Sequence, residues 1–138
     1  FPADYRTWAH VKSMVIHDPA HPLYADFGGI HHVYVNKQGL ATLQRGGSAP
    51  SYPDGTVFVF DLLEANLQNG AYVEGQRKAL ATMTKSAKRY PDTGGWAFVV
   101  YPGGDPAKAQ SGEATRACFA CHDAQVRSSD YVFSRWRP

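Results

Sequence analysis

Five residues near the end of the chain, Cys118-Phe119-Ala120-Cys121-His122, carry the strongest chemical signal in the sequence. Two thiols three positions apart, followed at once by an imidazole, form the C-x-x-C-H pattern to which c-type haem is bonded. On a helix, residues i and i+3 share a face about one turn apart, so both thiols can reach the two vinyl groups along one edge of a porphyrin. His122 then projects toward the iron as a neutral imidazole, oriented by whatever its second nitrogen donates to. Three other chemistries use such a pair. A thioredoxin-like redox pair opens the first helix after a strand near the N-terminus, whereas this pair lies late in the chain. Half a zinc site needs two further ligands, and no H-x₃₋₅-H pair follows the cysteines. A disulfide across three positions would staple nothing distant. Covalent attachment of haem c implies assembly outside the cytoplasm, in the periplasm or an equivalent exported compartment.

The iron's sixth position decides the function, because a strong second ligand makes an electron carrier and an open position makes a gas-binding or catalytic haem. Met14 and Met83 both fall in expected strands, where methionine is ordinary core filler. His31 and His32 are adjacent in Ile30-His31-His32-Val33-Tyr34-Val35 and must point to opposite faces. Counting by twos, His31 shares its face with Val33 and Val35, the more aliphatic side, where a haem could lie; a core histidine bonded to backbone is the alternative. His10, His17 and His21 lie near loops and are expected in solvent.

Stepping outward from the motif, 138 residues with 43% apolar content suit one domain over residues 1–138 and suffice to bury a core around a cofactor. The net charge of +2 comes without a basic run, which excludes an electrostatic footprint for nucleic acid. No apolar run approaches the roughly 18–20 residues that span a bilayer, and the chain reads as already processed, with no signal peptide at Phe1. A short helix through Tyr5, Arg6 and Trp8, with Asp4 as N-cap, is expected to precede strands at residues 11–16, 30–35, 57–63, 80–84 and 96–101. Gly, Pro and Asn cluster between them, including Gly28-Gly29, Asn69-Gly70 and Gly94-Gly95, which suits an antiparallel sheet. A helical turn at 86–90, another opening at Asp105-Pro106 and a helix at 111–123 carrying the cysteines complete an α+β plan.

Taken in order, Tyr5-Arg6-x-Trp8, Phe27-x-x-Ile30, Val33-Tyr34-Val35, Asp54-Gly55-Thr56-Val57, the stretch from Lys85 to Arg89, Gly95-Trp96-Ala97-Phe98, Ala117-Cys118-x-x-Cys121-His122 and the run from Asp130 to Arg135 resemble the cytochrome P-460 superfamily, and within it the cytochrome c′-β branch. The resemblance implies a mostly antiparallel sheet with flanking helices, a homodimer, and a haem with His122 as proximal ligand and a vacant distal position. In hydroxylamine-oxidising relatives a lysine shortly after the Asp-Gly-Thr-Val signature adds a further covalent bond to the haem. The position matching that lysine is Phe60, whose ring has no nucleophile; Lys37, Lys78, Lys85 and Lys88 stand elsewhere. The c′-β branch is similar but has an apolar distal pocket walled by phenylalanines, and Phe27 and Phe60 are the matching positions. His31 matches an arginine of the hydroxylamine-oxidising relatives and would be the polar group of the pocket.

Dioxygen draws charge from iron and needs a hydrogen-bond donor, whereas NO and CO bind ferrous haem with little such help, so phenylalanine walls favour NO and CO. The leading expectation is therefore a five-coordinate haem that binds NO for scavenging, storage or transfer. Behind it stand an enzyme that oxidises hydroxylamine or reduces peroxide, with His31 moving protons, and an electron carrier with His31 or a Met as sixth ligand and a redox partner protein. Arg127 could approach the proximal side if the helix continues past His122, or lie in solvent. Tyr131 and Phe133 are expected in the core.

Overall fold

The computed structural model describes residues 1–137. Six strands, β1 (Ala9–Ile16), β2 (Gly29–Val35), β3 (Val57–Gln68), β4 (Ala71–Lys85), β5 (Trp96–Pro102) and β6 (Gln110–Ser111), form one sheet in sequence order, every neighbouring pair antiparallel. Three α-helices accompany it: α1 (Tyr24–Phe27), α2 (Lys37–Arg45) and α3 (Arg116–Val126). The fold is α+β, and α3 carries Cys118 and Cys121. No helix among the described residues is long and apolar enough to cross a membrane.

The five strands expected from β-branched and aromatic runs all form, and two run further than the pattern suggested. β3 and β4 continue as a ribbon to the Asn69-Gly70 turn, where both residues take positive φ (50° and 82°), the backbone a tight two-residue hairpin demands. The register slips at Leu62/Leu63 and Leu63/Ala65, so the ribbon's outer half twists away from the sheet and its side chains are mostly exposed. Helix α2 was not foreshadowed. Asn36 caps it by accepting from the Gly39 amide at 3.2 Å, and Gly39 is there because a Cβ would stand 2.5 Å from Val35 Cγ2.

Residues directly opposite in antiparallel strands share a face, so the register sorts the sheet into rows. On one face Val35, Phe58, Met83 and Phe98 lie side by side, buried beneath α2, α3 and the C-terminal segment with Leu43, Trp96 and Val132. The other face carries Val59 and Leu80, covered by Tyr5 from the short 3₁₀ helix Tyr5–Thr7 and by Tyr101. Asp61, fully buried there, accepts from Tyr5 Oη at 2.5 Å and Arg77 Nε at 2.6 Å.

Some local expectations need correction. Asp4 is not a side-chain cap; its carboxylate accepts from Trp8 Nε1 at 3.3 Å instead. The helical turn expected at 86–90 does form, closed by bonds from the Arg89 and Tyr90 amides to Ser86 O. The C-terminal helix begins as a 3₁₀ turn, Gly112–Thr115, before α3 proper.

Candidate functional site

Helix α3 lies against β5. Phe119 packs 6.3 Å from Phe98 and 5.7 Å from Tyr131 between ring centroids, which turns the helix so that Cys118 is half-buried against the core while Cys121, one turn on, is exposed. Burial raises the Cys118 thiol above its ordinary pKa. Gln125 Nε2 donates to Cys121 Sγ at 3.2 Å.

His122 is the best-defined group of the site. Its Nδ1–H donates to the carbonyl of Tyr131 at 2.6 Å, which fixes the tautomer and leaves Nε2 as the lone-pair nitrogen. Phe98 and Phe133 meet the ring edge-on at 5.1 and 4.8 Å. Burial lowers the pKa of His122 below the usual histidine value, keeping the imidazole neutral, the form that binds a metal. The partner that the sequence left open is thus a backbone carbonyl nine residues away, for which no side-chain pattern exists. Phe133, expected in the core, is 41% exposed and serves as a wall for this ring. Arg127 does not turn toward His122; it forms a two-pronged ion pair with Asp123, at 2.6 and 2.7 Å, in solvent.

Beside the buried row that contains Phe98, the next row of the same face is Val33, Phe60, Ala81 and Val100, one residue from each of β2 to β5, all half-exposed. Beyond it come His31, Leu62, Ala79 and Pro102. Ala79 and Ala81, neighbours on this face of β4, stand between Phe60 and Leu62 of β3 and Val100 and Pro102 of β5, so the side-chain sizes outline a shallow apolar trough along β4.

Beside β2 three rings converge, from α1, β2 and β3. Phe27, the last residue of α1, lies 6.0 Å from Phe60 at 84°, and His31 lies 5.0 Å from Phe60. His31 is 2% exposed; its Nε2–H donates to the Phe27 carbonyl, while its Nδ1 is buried without a partner. Burial lowers its pKa and holds it neutral. Lys78 Nζ donates to the Gly28 carbonyl at 2.6 Å, so the α1 segment is held by two side chains at consecutive carbonyls. Phe27 and His31, four residues apart, and Phe60, on another strand, are therefore one cluster. His32 points to the opposite face and pairs with Glu74 at 2.7 Å, and His10, His17 and His21 are exposed. Met83 is core, between Phe58 and Phe98, while Met14 stands opposite His31 and is 40% exposed.

A paired thiol turn, a histidine with its metal-binding nitrogen unencumbered, and a half-exposed apolar trough beside them fit a haem. No group of three or more His, Cys, Asp or Glu residues arranged for a bare metal ion occurs among the described residues. No curated protein matches the chain. The Cytochrome P460 family model matches residues 2–134, and with it the thiol pair of α3 and the sheet behind it are accounted for: the chain belongs to the Cytochrome P460 family and binds haem c, attached through Cys118 and Cys121.

Proposed function

We propose that this protein is an exported mono-haem cytochrome of the c′-β type, with His122 as proximal iron ligand and an open distal site that binds NO and CO for scavenging, storage or transfer. The observation that carries the reading is the perpendicular Phe27–Phe60 pair, in which Phe60 occupies the position that the resemblance matches to the cross-linking lysine. Two lysines of β4 are already engaged: Lys78 donates to the Gly28 carbonyl and Lys85 pairs with Asp130.

Haem c supplies an iron able to bind diatomic ligands. The residues of this chain set which ligands and how. Tyr131 O orients the His122 ring; Phe27 and Phe60 keep out water and anions; His31, its N–H given to Phe27 O, presents no donor from that nitrogen to stabilise bound dioxygen. A homodimer fits the uncovered edge of β1, where Met14 and Val15 are exposed, since an unpaired strand edge seeks a partner. Periplasmic residence follows from covalent haem attachment.

The test is the ferrous absorption spectrum with and without NO. A five-coordinate spectrum that changes on adding NO or CO is expected; a six-coordinate low-spin spectrum indifferent to both would reject the proposal. The second reading, an enzyme acting on hydroxylamine or peroxide, is favoured by one observation: the unpartnered Nδ1 of His31, a buried acceptor able to take a proton. Turnover with an electron acceptor separates it from binding alone. The carrier reading would need the same nitrogen, or Met14, as sixth ligand, and a redox partner protein.

A further inference from the structure

We infer that Lys85 and Asp130 are positioning residues for the haem ligand: their ion pair pins the Asp130-Tyr131 backbone and so holds the Tyr131 carbonyl against His122 Nδ1. The inference rests on the reading of His122 as iron ligand.

Asp130 is tied from three parts of the fold. Lys85 Nζ, at the end of β4, lies 2.6 Å from Asp130 Oδ1, with side-chain exposures of only 9% and 13%. Trp96 Nε1 of β5 donates to the same oxygen at 3.3 Å, and the Tyr52 amide donates to Oδ2 at 2.8 Å. Lys85 is itself fixed, donating to Gly94 O at 2.9 Å and lying 4.8 Å from the Trp96 ring centroid. The ring of Tyr131 covers Gly94, where a Cβ would come within 2.1 Å of it.

The backbone that this clamp holds is unusual. Asp130 and Tyr131 are consecutive non-glycine residues in the left-handed region, with φ of 50° and 64°. Side-chain-bearing residues rarely adopt it in succession, because Cβ crowds the following carbonyl. The pair reverses the chain after α3, with the Tyr131 amide bonded to Val126 O at 2.9 Å, and returns the Tyr131 carbonyl to the imidazole four residues before that amide's acceptor. Left untied, the two residues would relax toward ordinary φ and carry the carbonyl away. A buried ion pair is weak evidence for stability as such, but it specifies a geometry well. Here the geometry bears on chemistry: an N–H donated to a carbonyl makes an imidazole a stronger donor to its metal.

The experiment compares wild-type holoprotein with Lys85→Met, which keeps the stem and removes the charge, and Asp130→Asn, whose side chain tolerates the left-handed conformation. The readouts are the iron–histidine stretching frequency of the ferrous protein by resonance Raman and the reduction potential. Both variants are expected to move the stretch to lower frequency and the potential upward, with Lys85→Arg returning both toward wild type. Should either variant fail to carry haem, Trp96→Phe, which removes one donor to the same carboxylate, is expected to shift the same two readouts less far. Variants that lose thermal stability while frequency and potential stay at wild-type values would overturn the inference and leave the pair a structural clamp only. A wild-type protein with no iron–histidine band would instead overturn the assignment of His122 on which it rests.

Discussion

The phenyl ring of Phe27, at the end of a one-turn helix, stands nearly perpendicular to that of Phe60 in the middle of β3, their centroids 6.0 Å apart. Neither ring is fully enclosed; Phe27 is 38% exposed. On the proposed function they act as a door to the iron rather than as a core. Phe60→Ala is expected to speed NO and CO association while costing about 1–3 kcal/mol of stability, below the range for a fully buried ring. Flash photolysis of the CO complex and urea denaturation check the two halves of this prediction, and an unchanged association rate would remove Phe60 from the access path.

His31 donates to the Phe27 carbonyl, yet it buries an unpaired Nδ1. In His31→Leu the lost hydrogen bond and the relieved orphan oppose each other, so stability at neutral pH should change by no more than about 1 kcal/mol. Ligand entry should nevertheless quicken, because α1 loses one of its two tethers. The pH dependence separates the terms. Burial depresses the folded-state pKa of His31, so the folded form binds fewer protons than the unfolded one below the ordinary value of 6.5. Wild-type stability from this group is present above that pH and is lost as pH falls through the folded value, and the Leu variant should show a shallower acid loss. Denaturation midpoints for both proteins across this range provide the comparison.

The chain made some of this legible and hid the rest for physical reasons. Cys118, Cys121 and His122 could be read directly because local spacing alone specifies their chemistry, and the strands of the sheet centre could be read because a buried face leaves a period of two. Helix α2 carries only a short signal: Leu40 and Leu43, three apart, face the core and Asn36 caps the helix, but Gly39 within nine residues weakens the helical pattern. The outer β3–β4 ribbon was silent because both its faces meet solvent, so exposed Leu67 and Tyr72 stand among Glu64, Gln68, Glu74 and Gln76 without a sustained period of two. The Tyr131 carbonyl and the Lys85–Asp130 pair could not be read because the first is backbone and the second joins positions 45 residues apart.

Behind the trough, Tyr5 Oη lies 2.5 Å from Asp61, which also takes Arg77. Burial, reinforced by the Asp61 carboxylate, pushes the Tyr5 phenol up to about 12 from 10.0. A folded-state pKa above the unfolded one means stability that is complete below pH 10 and falls as pH rises toward 12, at most about 1.4 kcal/mol per pH unit for one group. Tyr5→Phe removes this dependence and costs about 1–3 kcal/mol at pH 7, since it leaves a buried carboxylate oxygen short of a donor. Unfolding free energies of the two proteins should therefore converge between pH 10 and 12; parallel curves would show that Tyr5 titrates normally.

The thiols differ in setting, Cys118 half-buried against the core and Cys121 exposed beside Gln125. Either thioether alone keeps the haem covalent, so Cys118→Ala and Cys121→Ala should each retain pigment through acid-acetone extraction, while the double variant should lose it. The singles should not be equivalent. Cys118→Ala also removes a side chain packed on the core, at a cost of about 1 kcal/mol by lost apolar burial, whereas Cys121→Ala removes an exposed one and should unfold within about 0.5 kcal/mol of wild type. Thermal melts of the two single holoproteins, read at the same haem occupancy, test this asymmetry. Equal losses would mean that the bond to the porphyrin, and not the packing of the free side chain, dominates what each cysteine contributes to the fold.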